Sequence, residues 1–176
     1  MAAARILSII GRKDTGKTTL LVALAQEFKR RGKRVMTIKH ASHTARLDEP
    51  GTDSWRHYHE GGASRVLLAA PEMRAIIDRT PDEDDPITLA REHLDGADLI
   101  LVEGFKRAPL PKIEVFRREV ADQPLYDESA PNADEWVALL TDDPHYRAAC
   151  HVLRFQDTIW PQTLASIAWD RSKVLP

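Results

Sequence analysis

Gly11-Arg12-Lys13-Asp14-Thr15-Gly16-Lys17-Thr18 has the pattern G-x-x-x-x-G-K-T and directly follows the apolar run Arg5-Ile6-Leu7-Ser8-Ile9-Ile10. A strand that carries a glycine-containing turn to the carboxyl edge of a sheet, with a helix opening behind it, makes a phosphate cradle. Main-chain N–H groups of the turn converge on the anion, and the helix adds its positive dipole end. Gly11 and Gly16 suit backbone conformations that a β-carbon would forbid. Lys17 is placed to reach β- and γ-phosphates as a compact charge, and Thr18 to offer its hydroxyl to a bridging Mg²⁺. Arg12, Lys13, Asp14, Thr15 and Thr19 belong to the same candidate nucleotide-binding segment. An accidental match at all four fixed positions is expected on the order of once in a hundred chains of ordinary composition, and the strand-turn-helix context lowers that further.

Outward from this loop, strand and helix patterns alternate. Leu20, Leu21, Leu24 and Phe28 put an apolar stripe on a helix from about Lys17 to Arg31, and Arg34–Lys39 reads as the second strand. A polar stretch, His40–Gly51, reads as a loop, followed by a short helix over Asp53–Glu60 ended by Gly61-Gly62. Ser64–Ala69 and Arg74–Ile77 read as two strands joined at Pro71-Glu72. The acidic segment Asp82–Asp85 leads into a helix near Ile87–Leu94, with Pro86 at its first position. Asp98-Leu99-Ile100-Leu101-Val102-Glu103 is a continuous apolar run bracketed by acids, as in a parallel strand covered on both faces. Lys112–Phe116, Trp136–Leu140 and Val152–Phe155 supply further strands, and Ile159–Trp169 a terminal amphipathic helix. Arg107–Pro111 is a short loop and Ala121–Pro131 a longer one, for which disorder is one option. The sum predicts one domain over residues 1–176 with the P-loop NTPase fold: an open, mostly parallel α/β sheet flanked by helices, with nucleotide at its carboxyl edge.

The chain has 176 residues, 43% apolar and 30% charged, which are values of a globular domain and exclude wholesale disorder. A formal charge of −2 gives no global electrostatic case for nucleic acid or for an anionic membrane. The basic run Lys29–Arg34 is accounted for by the end of the first helix, with Gly32 as its cap. Cys150 is the single cysteine, so neither an intrachain disulfide nor a thiolate metal cluster can form from one chain. Residues 1–10 are too short for the charged and apolar regions of a signal peptide, and no apolar stretch approaches a membrane span. A cytoplasmic location is expected.

Glu103, at the end of the buried run, is the candidate for the magnesium side of the site, because an acid there holds or orients a Mg²⁺ hydration shell in P-loop proteins. Lys17 and Glu103 are the candidate catalytic residues; Thr18 and Glu103 are the candidate metal ligands. Asp14 works against phosphate binding unless its side chain turns outward. Arg12 and Lys13 either add charge at the γ-phosphate, within this subunit or across a dimer, or are plain exposed loop residues. The guanine-reading tetrapeptide Asn-Lys-x-Asp is absent. In Thr141-Asp142-Asp143 a carboxylate, Asp142, could accept hydrogen bonds from guanine; an acidic turn at a strand end explains the same residues.

With these segments read, the chain resembles the molybdopterin-guanine dinucleotide biosynthesis adaptor family, MobB. The P-loop carries the likeness together with Ile38-Lys39-His40 and His43, Pro50-Gly51-Thr52-Asp53-Ser54 through His57 to Gly61-Gly62-Ala63, and Val102-Glu103-Gly104-Phe105-Lys106 followed by Lys112-Ile113-Glu114. The resemblance implies a GTP-binding homodimer with weak GTP hydrolysis, acting beside the guanylyltransferase that attaches GMP to molybdopterin. It implies Gly11, Gly16, Lys17 and Thr18 for phosphate and Mg²⁺, Glu103 near the metal, and Lys39, His40, Asp53 and Ser54 lining the region above the phosphates, where molybdopterin or its guanine dinucleotide is a further candidate ligand. The family's usual small residues after the first glycine are here Arg12, Lys13 and Asp14, and past Phe116 no strong signature continues.

His40, His43, Asp48, Asp53, His57 and His59 crowd one segment. Imidazole and carboxylate suit a transition-metal site. The alternative, which the resemblance favours, is a switch that orders over the γ-phosphate or the pterin phosphate. For hydrolysis, Glu103 and Asp53 are the candidates for positioning water, and the scarcity of other machinery predicts slow turnover. A rival reading is a small-molecule kinase or ATP-dependent ligase on the same fold. The 82–94 segment has Arg91 alone within it, where a kinase lid would need an arginine-bearing helix.

Overall fold

The computed structural model describes residues 3–41, 48–80 and 85–175. The chain divides into two compact units, 1–40 with 85–176, and 41–84. In the first unit, strands β1 (Arg5–Gly11), β2 (Val35–Lys39), β5 (Leu99–Glu103), β6 (Lys112–Phe116), β7 (Trp136–Thr141) and β8 (His151–Arg154) lie side by side in the order β2-β5-β1-β6-β7-β8. All neighbours along that path are parallel. The fold is therefore the α/β architecture that the alternation predicts, with a mostly parallel sheet between helices.

The strands are apolar on both faces because both faces are covered. Leu7, Ile9, Leu99, Leu101, Ile113 and Val115 pack into one buried cluster with Leu20, Leu24 and Phe28 of α1 (Lys17–Arg30) and Leu164, Ala165 and Ala168 of α4 (Trp160–Arg171). Their sequence neighbours Ile6, Ile100 and Val102 point the other way, joining Ala90 of α3 (Pro86–His93) and Leu110. Strand periodicity of two is what sorts one strand's residues into two cores.

The helix ends follow the local chemistry. Gly32 has φ 72°, its N–H reaches Lys29 O and the N–H of Lys33 reaches Phe28 O, the paired C-terminal bonds of a Schellman cap. The Asp85 carboxylate accepts from the N–H groups of Ile87 and Thr88, with Pro86 opening α3. No helix among the described residues is long and apolar enough to cross a membrane.

Two segments depart from the sequence-based expectation. The longer loop Ala121–Pro131, for which disorder was one option, is tied to the sheet: buried Glu114 accepts from the N–H groups of Leu125 and Tyr126 and from Trp136 Nε1. Nothing in the loop's own composition carries that signal, since the anchor is a carboxylate on β6. Lys173–Val174 forms β9, antiparallel to the start of β1, in a stretch too short to show any periodicity.

The second unit, 41–84, contains α2 (Asp53–His59) and an antiparallel hairpin of β3 (Arg65–Ala69) and β4 (Arg74–Asp78), in the register Val66↔Ile77 and Leu67↔Ile76. Its short helix and its two strands fall where the pattern predicts them.

Candidate functional site

The Gly11–Thr18 loop leaves the carboxyl end of β1, the strand at the middle of the sheet, and runs into α1. Gly11 has φ 151°, and a β-carbon on it would lie 2.6 Å from Val115 O and 2.8 Å from Thr15 Oγ1. The loop can turn here only because no side chain intervenes between β1 and β6. Asp14 takes a left-handed φ of 64° and is exposed, so its carboxylate faces outward, as an acid in this loop must. Arg12 and Lys13 are exposed beside it, and Thr19 is exposed in the first turn of α1. Inside the loop, the Arg12 carbonyl accepts from Thr15 Oγ1 at 3.0 Å and from Lys17 Nζ at 2.6 Å. The Lys17 ammonium thus curls back over the turn.

Glu103 ends β5, the immediate neighbour of β1, in register with Ile9 on one side and Lys39 on the other. Its carboxylate is buried, and Thr18 Oγ1 lies within 3.0 Å of both its oxygens. Lys39 Nζ stands 3.3 Å from Glu103 Oε1. Burial, the largest influence, holds the Lys17 ammonium below the usual lysine range; Glu103 and Asp14 act against that, while Lys106 and Lys39 add to it. Cations outnumber anions around one loop, which favours a polyanion there. For Mg²⁺ the donors fit in kind: a hydroxyl and a carboxylate are hard oxygen ligands, and they already touch.

His40 follows Lys39 directly. Its N–H donates to Glu103 O at 2.9 Å and its ring lies 4.5 Å from that of Phe105. Gly104, with φ 99°, admits that ring pair: a β-carbon there would stand 2.9 Å from His40 Cβ. Gly11–Thr18, Lys39, His40 and Glu103 are thereby gathered at one sheet edge.

Asp142 follows β7, two strands from β1, where Oδ1 accepts the Arg118 N–H at 3.0 Å and Oδ2 lies 3.8 Å from Arg117 Nη1. Arg117 is a neighbour that motif reading does not pick out. Its Nε donates to Thr15 O at 3.0 Å. The available signal is its position, one residue past a strand that borders β1.

Asp53 and Ser54 open α2 in the second unit. Thr52 caps that helix, and the Asp48 carboxylate is held below its usual range by hydrogen bonds from Ser54 and Thr52. Asp53, Arg56, His57, Glu60 and Gly61 line an open cavity of about 400 Å³. His43 and Asp82–Asp84 lie outside the described residues. Among the described residues no three His, Cys, Asp or Glu groups gather into a metal-holding cluster.

Fold and loop together define an α/β protein of P-loop NTPase-like architecture. A sequence model of the family described as "MobB: Molybdopterin guanine dinucleotide synthesis protein B" matches residues 6–142, and the chain belongs to that family. It is 42% identical over 144 residues, 79% of this chain and 75% of the relative, to a molybdopterin-guanine dinucleotide biosynthesis adapter protein of Haemophilus influenzae. Its identity to the adapter protein of the same description from Escherichia coli K12 is 36% over 122 residues, covering 68% of this chain and 69% of the relative. Among solved structures, it resembles a molybdopterin-guanine biosynthesis protein B at TM-score 0.67 and 25% identity, covering 94% of this chain and 98% of that one. Bacillus subtilis MobB shares the fold at TM-score 0.67 and 18% identity, covering 93% and 97% of the two chains.

Proposed function

We propose that this chain is a GTP-binding adaptor of molybdenum cofactor biosynthesis. It holds GTP with Mg²⁺ in the Gly11–Thr18 cradle and serves, as a cytoplasmic homodimer, the guanylyltransferase that attaches GMP to molybdopterin. Membership of the family supports the pathway. The nucleotide part rests on one observation: the Thr18 hydroxyl and Glu103 carboxylate in contact where the Gly11–Thr18 loop enters α1. Main-chain N–H groups of the loop and the α1 dipole would take the phosphates, and Lys17 would leave the Arg12 carbonyl for them. Thr18 and Glu103 would hold Mg²⁺, which supplies charge neutralisation across the β- and γ-phosphates. Glu103, already engaged by Thr18 and Lys39, is arranged to face a cation rather than to take a proton from water, which supports slow hydrolysis.

The test is a titration of purified protein with GTP and with ATP, each in Mg²⁺, beside an assay of guanylyl transfer to molybdopterin with and without the protein. Preference for GTP and faster or tighter transfer are expected. Preference for ATP would overturn the guanine reading, and unchanged transfer the adaptor reading.

A further inference from the structure

Arg117, Asp142 and Phe155 are each the first residue past the carboxyl end of a strand, β6, β7 and β8 respectively. The strand-end residues before them are in register, Phe116 with Thr141 and Thr141 with Arg154, so the three form one row leading away from the phosphate loop. The row starts where the sheet order reverses: from β1 the chain first adds strands on one side, then crosses to β6 on the other. Open α/β sheets bind ligands at the carboxyl ends beside such a reversal.

Within the row Arg117 is fixed from three directions. Nε donates to the Thr15 carbonyl at 3.0 Å, Nη1 faces Asp142 Oδ2 at 3.8 Å, and the guanidinium lies over the Phe155 ring with 4.2 Å to its centroid. Its Nη2 would sit 3.9 Å from a β-carbon on Gly16. A planar cation backed by one aromatic ring and still 31% exposed offers its remaining surface to a second flat group. Asp142, with one oxygen receiving the Arg118 N–H and the other at the edge of an ion pair, keeps lone pairs for further donors.

We propose that Arg117, backed by Phe155, is the stacking platform for the nucleobase of the bound nucleotide, with Asp142 at the base's edge. The class of ligand follows from the chemistry. A carboxylate at the edge selects a purine presenting adjacent N–H donors, as guanine does at N1 and N2, and disfavours adenine, whose N1 is an acceptor. Because Arg117 also holds the Thr15 carbonyl, base and phosphate subsites share one rigid side chain. This inference rests on the reading of Gly11–Thr18 as the phosphate cradle.

Tripolyphosphate separates the two. Both it and GTP are titrated, with Mg²⁺, against the parent, Arg117→Ala and Arg117→Lys, with thermal melting as the check of folding. Loss of the platform should cost Arg117→Ala about tenfold to a hundredfold in GTP affinity while tripolyphosphate changes less than about threefold. Arg117→Lys keeps the charge and a donor for Thr15 but not the flat surface, so it should also lose preference for GTP over tripolyphosphate. An equal loss of both ligands in Arg117→Ala, restored by Arg117→Lys, would make Arg117 a mere brace of the loop and overturn the proposal. Unchanged GTP binding in both variants would overturn it as well. A parent that takes neither ligand would overturn the cradle reading and this one with it.

Discussion

Thr18 Oγ1 stands 3.0 and 2.9 Å from the two carboxylate oxygens of Glu103, joining the first turn of α1 to the end of β5 across 85 residues of sequence. A hydroxyl has one proton and Glu103 is acceptor-only when ionised, so the contact leaves lone pairs on both groups. Hard oxygen donors of this kind suit a small hard cation. Lys39 occupies part of the same carboxylate at 3.3 Å, a charge that a divalent ion would have to displace or share.

Glu103→Gln keeps the shape and removes the charge. With Mg²⁺ present, GTP affinity should fall about tenfold or more, while in EDTA variant and parent should bind alike. Fluorescence titration in the two buffers reads the difference. A variant that keeps the parent's full response to Mg²⁺ would remove Glu103 from the metal site.

Lys17→Ala should weaken triphosphate binding by about 50-fold or more, since a hydrogen bond to a charged group is lost where phosphate charge concentrates. The melting temperature should move by no more than about 2 °C, because Lys17 is only partly buried and its ammonium donates to a loop carbonyl. The parent carries a further signature. Burial holds the Lys17 ammonium below its ordinary range, so triphosphate affinity should begin to fall at a lower alkaline pH than for an exposed lysine. Isothermal titration across pH should show that limb in the parent and not in Lys17→Ala.

The sheet and the place of Glu103 at a strand end beside the loop were legible because they rest on local pattern. Leu99–Val102 announces a doubly covered strand by being apolar without alternation, and Glu103 is marked by ending it. Arg117 was not legible, because its partners Thr15, Asp142 and Phe155 come from three other segments and meet only once strand order is known. Strand β6 shows the same limit in its polar residues. Lys112 and Glu114 look like the solvent face of an alternating strand, yet both are buried, because the 121–131 loop and the turn before Trp136 cover that face.

Lys112 is wholly buried, its ammonium donating to Ala108 O at 2.7 Å, to Leu110 O at 3.1 Å and to the Glu135 carboxylate. Lys112→Met preserves the length of the stem and takes a donor from all three acceptors, of which Ala108 O keeps the Leu110 N–H at 2.8 Å. Destabilisation of about 3 kcal/mol is expected by urea unfolding. Glu135 keeps the Asn132 amide at 3.0 Å and partial access to water, so adding Glu135→Gln should recover only part of the loss. A shift within about 0.5 kcal/mol for Lys112→Met would mean that the ion pair is replaceable by apolar packing.

Cys150 gives a chemical test of the packing beyond β7. Its thiol is half-buried, and that burial, aided by Glu114 and Glu128 and opposed by a backbone hydrogen bond, pushes it up to about 11. At pH 8 the thiolate fraction should then be about a hundredfold below that of an unperturbed cysteine, and the thiolate is the nucleophile. Alkylation by iodoacetamide should be slow in the native protein and speed up by about two orders of magnitude in urea. It should also keep rising with pH past the point where an ordinary thiol has levelled off, because ionisation is delayed rather than abolished. Native and unfolded rates that agree at pH 8 would show that the segment around Cys150 opens to solvent, and that the loop anchored on Glu114 does not shield it.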